Sequence, residues 1–323
     1  MTRLASTMLK KVEQYVIHKR SMGYIFKTDS KHLRSFAHYA DRHAPGQSLT
    51  VDLALRWATA PKGTARSYHA RRLTVLRTFA RYLAIFDSRT EIPPQRLLGP
   101  SVQRVPPHLY TPQEITALIQ KSLTYRPSLR HDPYTGLRNA TVIGLLACTG
   151  LRVGEALAFQ SRDVDLTQGL LTVRCSKNLP MRLVPITSCT IDHLRQYQEA
   201  RDKRFGPSGD TDAFFRSLRG GNVAYVTMKV AFRRLCQRIG LQKAWGRNPR
   251  LRELRHTFAS NHLLRAYREH RDIDNAVHDL SIYLGHANLA HTYWYISAVP
   301  ALLEHSVNRF KAHTRQPQKG GRS

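Results

Sequence analysis

From residue 5 to residue 86 the apolar positions recur every three or four residues, the spacing of one helix face, and no stretch alternates as a half-buried strand would. Met8, Val12, Tyr15 and Val16 define a first helix that Gly23 ends, and Leu33, Phe36, Ala37 and Ala40 define a second that stops near Pro45-Gly46. Thr50 opens a third as its cap, with Val51, Ala54, Leu55 and Ala58 on one face up to about Ala60. Beyond Gly63, Leu73, Leu76, Phe79, Ala80 and Leu83 face one way, while Arg71, Arg72, Arg77 and Arg81 mostly face the other. The pattern predicts a four-helix domain over residues 1–90 with a basic face.

The periodicity lapses over residues 91–109, where Pro93-Pro94, Gly99-Pro100 and Pro106-Pro107 read as a semi-rigid linker. It resumes at Thr111-Pro112-Gln113-Glu114, a capping box with proline at the first helical position. A second domain is expected over 110–313. Its central helix should run from about Leu137 to Cys148, nearly all apolar at its end, and stop at Gly150. Residues 170–174 and 182–186 are β-prone runs that read as a hairpin whose turn carries Lys177, and a further short strand is expected at 213–215. Helices are predicted at 188–204, 225–239, 253–266, 273–283, 289–296 and 299–312, followed by a polar, disordered tail at 314–323. The fold class is therefore mainly α with a small β-sheet, a helical domain preceding an α+β one.

Charge narrows the choice of partner. The chain has 323 residues with 51 Lys plus Arg against 22 Asp plus Glu, a formal charge of +29, and many of the cations stand beside apolar positions. A polyanion, most simply nucleic acid, is the expected partner, with Arg71, Arg72 and Arg77 as candidate DNA contacts. Four cysteines, Cys148, Cys175, Cys189 and Cys236, show no CxxC spacing, and the spacings of His262, His270, His278 and His291 do not suit a metal. No apolar run approaches the length of a membrane span, and the N-terminal residues lack a signal-peptide core. A cytoplasmic, nucleoid-associated protein without cofactor or metal is expected.

Four blocks carry the candidate chemistry. Thr149-Gly150-Leu151-Arg152-Val153-Gly154-Glu155 comes first, and Lys177 follows, five residues before Arg182-Leu183-Val184-Pro185. Leu254-Arg255-His256-Thr257-Phe258 is third, and Leu284-Gly285-His286 with Tyr295 nine residues on is fourth. In this order and at these spacings they resemble the tyrosine recombinase family, the phage-type integrases, with an Xer-like two-domain layout. The resemblance implies an N-terminal four-helix core-binding (SAM-like) domain and an α+β catalytic domain. It maps catalytic roles onto Arg152, Lys177, Arg255, His286 and Tyr295, with Glu155 orienting an arginine or the hairpin lysine.

The chemistry so implied is self-consistent. Two guanidiniums can neutralise the non-bridging oxygens of one phosphodiester, a lysine can protonate the leaving 5′ oxygen, and a tyrosine can attack phosphorus to give a 3′-phosphotyrosyl link. Double-stranded DNA and a tetramer assembled on it follow, with accessory or co-encoded recombinases among the partners. The last apolar helix would pack on its own domain or dock into a neighbouring protomer. One position departs from the pattern. Arg252 stands where the family usually has a histidine, and an arginine stays protonated, so it is expected to bind phosphate while His256 or His286 helps activate the phenol. Two other readings stay open: a type IB topoisomerase, and a DNA-binding regulator without catalysis.

Overall fold

The structure is a computed structural model that describes residues 7–100, 106–124, 132–174, 181–241, 248–286, 288–289, 292–293 and 295. The chain divides into two compact units, Met1–Val105 and Pro106–Ser323.

The first unit contains α1 (Met8–Ser21), α2 (Lys27–His43), α3 (Val51–Thr59) and α4 (Arg66–Leu83). Thr7 caps α1 and Thr50 caps α3 through their side-chain oxygens, and the Asp41 carboxylate accepts from the backbone N–H groups of Met8 and Leu9. Val12, Leu33, Phe36, Trp57, Leu76 and Phe79 form its dry centre. The basic face is not uniformly presented. Arg72, expected as a DNA contact, is only 6 % exposed, with its guanidinium 4.0 Å from the centre of the Trp57 ring, against which it packs. Arg71 pairs with Asp29, and Arg77 donates to the carbonyls of Pro93 and Pro94, which lays the start of the proline-rich segment along α4.

The second unit comprises α5 (Pro112–Thr124), α6 (Pro133–Thr149), the single turn α7 (Val153–Ala156), β1 (Val164–Asp165), β2 (Leu170–Val173), β3 (Arg182–Pro185), α8 (Ser188–Phe205), α9 (Tyr225–Arg238), α10 (Glu253–Arg268) and α11 (Ile273–Leu284). α6 is buried nearly all round, through Ala140, Val142, Ile143, Leu145 and Leu146, and packs against α5, α8 and α10. The three strands form an antiparallel sheet in the order β1-β2-β3, in which Leu171 faces Val184.

Several details depart from expectation. The hairpin gains a third strand, only two residues long. α6 starts at Pro133, four positions early, because Asp132 accepts from the Tyr134 N–H and caps it. Residues 213–215 form no strand: Ala213 makes an isolated bridge to Gln160, while Phe214 and Phe215 are core side chains. Lys177, the predicted helix at 299–312 and the tail at 314–323 lie outside the described residues, as does most of the helix expected at 289–296.

Candidate active site

α6 ends at Gly150 in the left-handed region, φ +61°, where a Cβ would lie 2.4 Å from Cδ1 of Phe258. Only glycine fits that approach between the end of α6 and α10. The chain then turns so that Arg152 precedes α7. Its backbone N–H donates to Glu155 Oε2 at 3.0 Å, and its Nη1 donates to Oε1 at 2.8 Å. Glu155 also receives the fork of Arg182 from β3, Nη2 to Oε2 at 2.8 Å and Nη1 to Oε1 at 3.3 Å. Burial raises the Glu155 carboxyl, but hydrogen bonds from Arg182 and Arg152 outweigh it and the net shift is downward, so the group is ionised at neutral pH.

Arg255, buried on the first turn of α10, donates through Nη1 to the Gly150 carbonyl at 2.9 Å and through Nη2 to the Leu284 carbonyl at 2.7 Å. Arg152 Nη2 donates to the Gly285 carbonyl at 2.9 Å, and Arg182 Nε to the Tyr283 carbonyl at 3.0 Å. Three consecutive carbonyls at the end of α11 thus each accept from a different arginine. The physical cause is general. The last carbonyls of a helix have no partner within it and carry the negative end of its dipole, so cations gather there. Gly285, at φ +63°, turns the chain out of α11 and delivers His286 to the same place.

His286 Nε2 lies 2.9 Å from Arg255 Nη2, and Nδ1 lies 2.7 Å from the Thr292 hydroxyl. The Tyr295 ring, 4 % exposed, is 5.9 Å from the His286 ring in a stacked arrangement and 5.2 Å from the His256 ring edge-on. It closes the small core of α10 and α11 formed by Ala259, Leu263, Val277 and Leu280. Burial lowers the Arg255 guanidinium, an effect opposed by the adjacent Tyr295 hydroxyl. Tyr293 is different: it is 46 % exposed and donates to Asp274. Burial pulls His256 down to about 4, so its imidazole is neutral at pH 7, and its Nδ1 is buried without a hydrogen-bond partner. Arg252 is exposed at the start of α10, and its charge adds to the lowering of His256.

The structure therefore brings Arg152, Glu155, Arg255, His256, His286 and Tyr295 into one constellation. Arg71, Arg72 and Arg77 belong to the other unit. Two members, Arg182 and Thr292, were not anticipated. Arg182 shares a strand face with the buried Val184, two residues on, and a charge on an inward face is a readable signal. Thr292 carried none beyond its place between His286 and Tyr295. No group of three or more His, Cys, Asp or Glu side chains among the described residues is arranged to hold a metal. Likewise, no helix among them is long and apolar enough to cross a membrane.

A helical unit followed by an α+β unit that gathers a buried arginine, a partly exposed one, a histidine and a tyrosine is the arrangement of a tyrosine recombinase. Residues 110–301 match the phage integrase family, to which the chain belongs; it is a tyrosine-type site-specific recombinase. It is 34 % identical over 312 residues to y4rB of Sinorhizobium fredii, a protein named as an integrase/recombinase, covering 95 % of this chain and 98 % of that one. It is 30 % identical to the tyrosine recombinase XerD of Rhizobium meliloti, over 80 % of this chain and 79 % of that one. In fold it is similar to the Tn1549 transposon integrase solved with transposon right-end DNA, with TM-score 0.67 and 15 % identity over 93 % of this chain and 98 % of that one.

Proposed function

We propose that the protein breaks and rejoins double-stranded DNA through a 3′-phosphotyrosyl link formed by Tyr295. The observation that carries this reading is the placing of the Tyr295 ring between two imidazoles and beside Arg255, while the exposed Tyr293 engages Asp274. Arg152 and Arg255 bind the non-bridging oxygens of the scissile phosphate and stabilise the charge that grows there, and His286 holds Arg255 in place by accepting from its Nη2. The Tyr295 oxygen forms a bond to phosphorus as the bond to O5′ breaks, and Lys177 protonates the departing O5′. His256, neutral and edge-on to the ring, is the candidate acceptor for the phenolic proton. Arg252, permanently charged, adds a third guanidinium for phosphate.

Exchange between two duplexes needs four such cleavages, hence four protomers on DNA, in the nucleoid of the cytoplasm. A role in moving a mobile element is supported by the full-length similarity to y4rB and by the fold shared with a transposon integrase. The test is covalent capture. Nicked duplexes prepared from fragments of the source genome are incubated with the protein, SDS-resistant adducts are isolated, and their DNA is sequenced. The wild type should give adducts at one recurring sequence and Tyr295→Phe none. An adduct that survives in Tyr295→Phe assigns another nucleophile, and no adduct with the wild type leaves a DNA-binding regulator.

A further inference from the structure

We infer that Arg182 is a positioning residue that leaves Arg152 free to hold the phosphate, by taking up the charge of Glu155 and pinning the end of α11. Its own donors are committed: Nε to the Tyr283 carbonyl, Nη1 and Nη2 to the Glu155 carboxylate. Its side chain is 13 % exposed against 37 % for Arg152, so Arg152 is the cation of this pair that a ligand can reach. The carboxylate between them is 4 % exposed and is shared by two guanidiniums, which leaves the trio with one net positive charge. Without Arg182 the remaining pair, Arg152 with Glu155, is neutral. A carboxylate shielded from water then acts on Arg152 at close range with little screening, and competes with the phosphate for the same N–H groups.

An independent observation shows that the chain is built around this guanidinium. A Cβ on Gly285 would lie 2.9 Å from Arg182 Nη1 and 3.1 Å from its Cζ. The residue that carries the carbonyl bound by Arg152 therefore has its open side filled by Arg182. The three consecutive carbonyls and the carboxylate form one cradle; Arg152 and Arg182 both touch its two parts, and Arg182 is the one of the two that is largely shielded from solvent.

The inference rests on reading Arg152 as a phosphate ligand, and the test separates the two. Single-turnover adduct formation is measured on the duplex recovered by covalent capture, for Arg182→Met, Glu155→Gln, the double variant, and Arg152→Ala as a control. Arg182→Met should slow the adduct about 10- to 100-fold, the usual consequence of a displaced catalytic group. In the Glu155→Gln background, where no charge needs neutralising, the same change should cost about threefold or less, a coupling that only interacting residues show. Equal losses in both backgrounds would overturn the counter-ion role. Should Arg182→Met alone fail to fold, the double variant against Glu155→Gln still decides. If Arg152→Ala forms the adduct as fast as the wild type, or the wild type captures no duplex, the phosphate reading is what fails.

Discussion

Arg255 donates to His286 Nε2 across 2.9 Å, and because a guanidinium cannot accept, the imidazole proton must sit on Nδ1, 2.7 Å from the Thr292 hydroxyl. Thr292 stands three residues before Tyr295, so this bond ties the orientation of the histidine to a close chain neighbour of the tyrosine. Thr292→Val keeps the shape and removes the acceptor. It should lower the rate of adduct formation by about tenfold or more while leaving duplex affinity in place, and Thr292→Ser should restore most of the rate. A rapid-quench time course on all three proteins, with binding measured in parallel, decides the matter.

His256 predicts a pH dependence of stability. Its ordinary value of 6.5 applies to the unfolded chain, and burial brings it to about 4 in the folded one. Between those values the unfolded chain binds a proton that the native imidazole refuses, so this residue makes the protein less stable as pH falls through that window. In His256→Gln that contribution is absent. The drop in Tm from pH 6.5 to pH 4.5 should be smaller for the variant than for the wild type, and equal drops would contradict the assignment.

Arg252 separates two chemical roles at one position. If it binds phosphate, Arg252→Ala should slow adduct formation about 10- to 100-fold with little change in Tm, since the residue is exposed. Arg252→His should retain more activity than Arg252→Ala, because a histidine can also donate to phosphate. Full activity of the alanine variant would remove any role for the side chain.

Gly150→Ala tests the hinge between α6 and the arginine turn. The substitution meets a φ of +61° and the body of the Phe258 ring, neither of which yields cheaply. A loss of about 2 kcal/mol or more is expected, measured as the shift of the urea midpoint.

The parts legible in the sequence are those written locally. The four helices of the first unit follow from apolar spacing and from Thr50, and α5 from its capping box, because cap and face lie within a few residues of each other. Glu155 is legible through the family resemblance of the block that carries Arg152, three residues before it. β1 escaped because two residues carry no period, and α6 was started late because Asp132-Pro133 was not taken as its cap. At 213–215 two aromatic core residues imitated a strand. The bonds of Arg152 to Gly285 and of Arg255 to Gly150 join residues far apart in the chain, so only the folded molecule reveals them. Arg72 shows the converse: a cation in a basic run reads as exposed, yet it packs on Trp57, a residue fifteen positions away that the local pattern does not link to it.

The carbonyls of residues 283–285, ten to twelve positions before Tyr295, each accept from one of the three site arginines. During synthesis, Arg152, Arg182 and Arg255 therefore leave the ribosome before these carbonyl acceptors do. A chain halted before α11 is complete lacks these three anchors and lacks Tyr295. The order of translation thus delivers Tyr295 and the last acceptors of the cation cluster together.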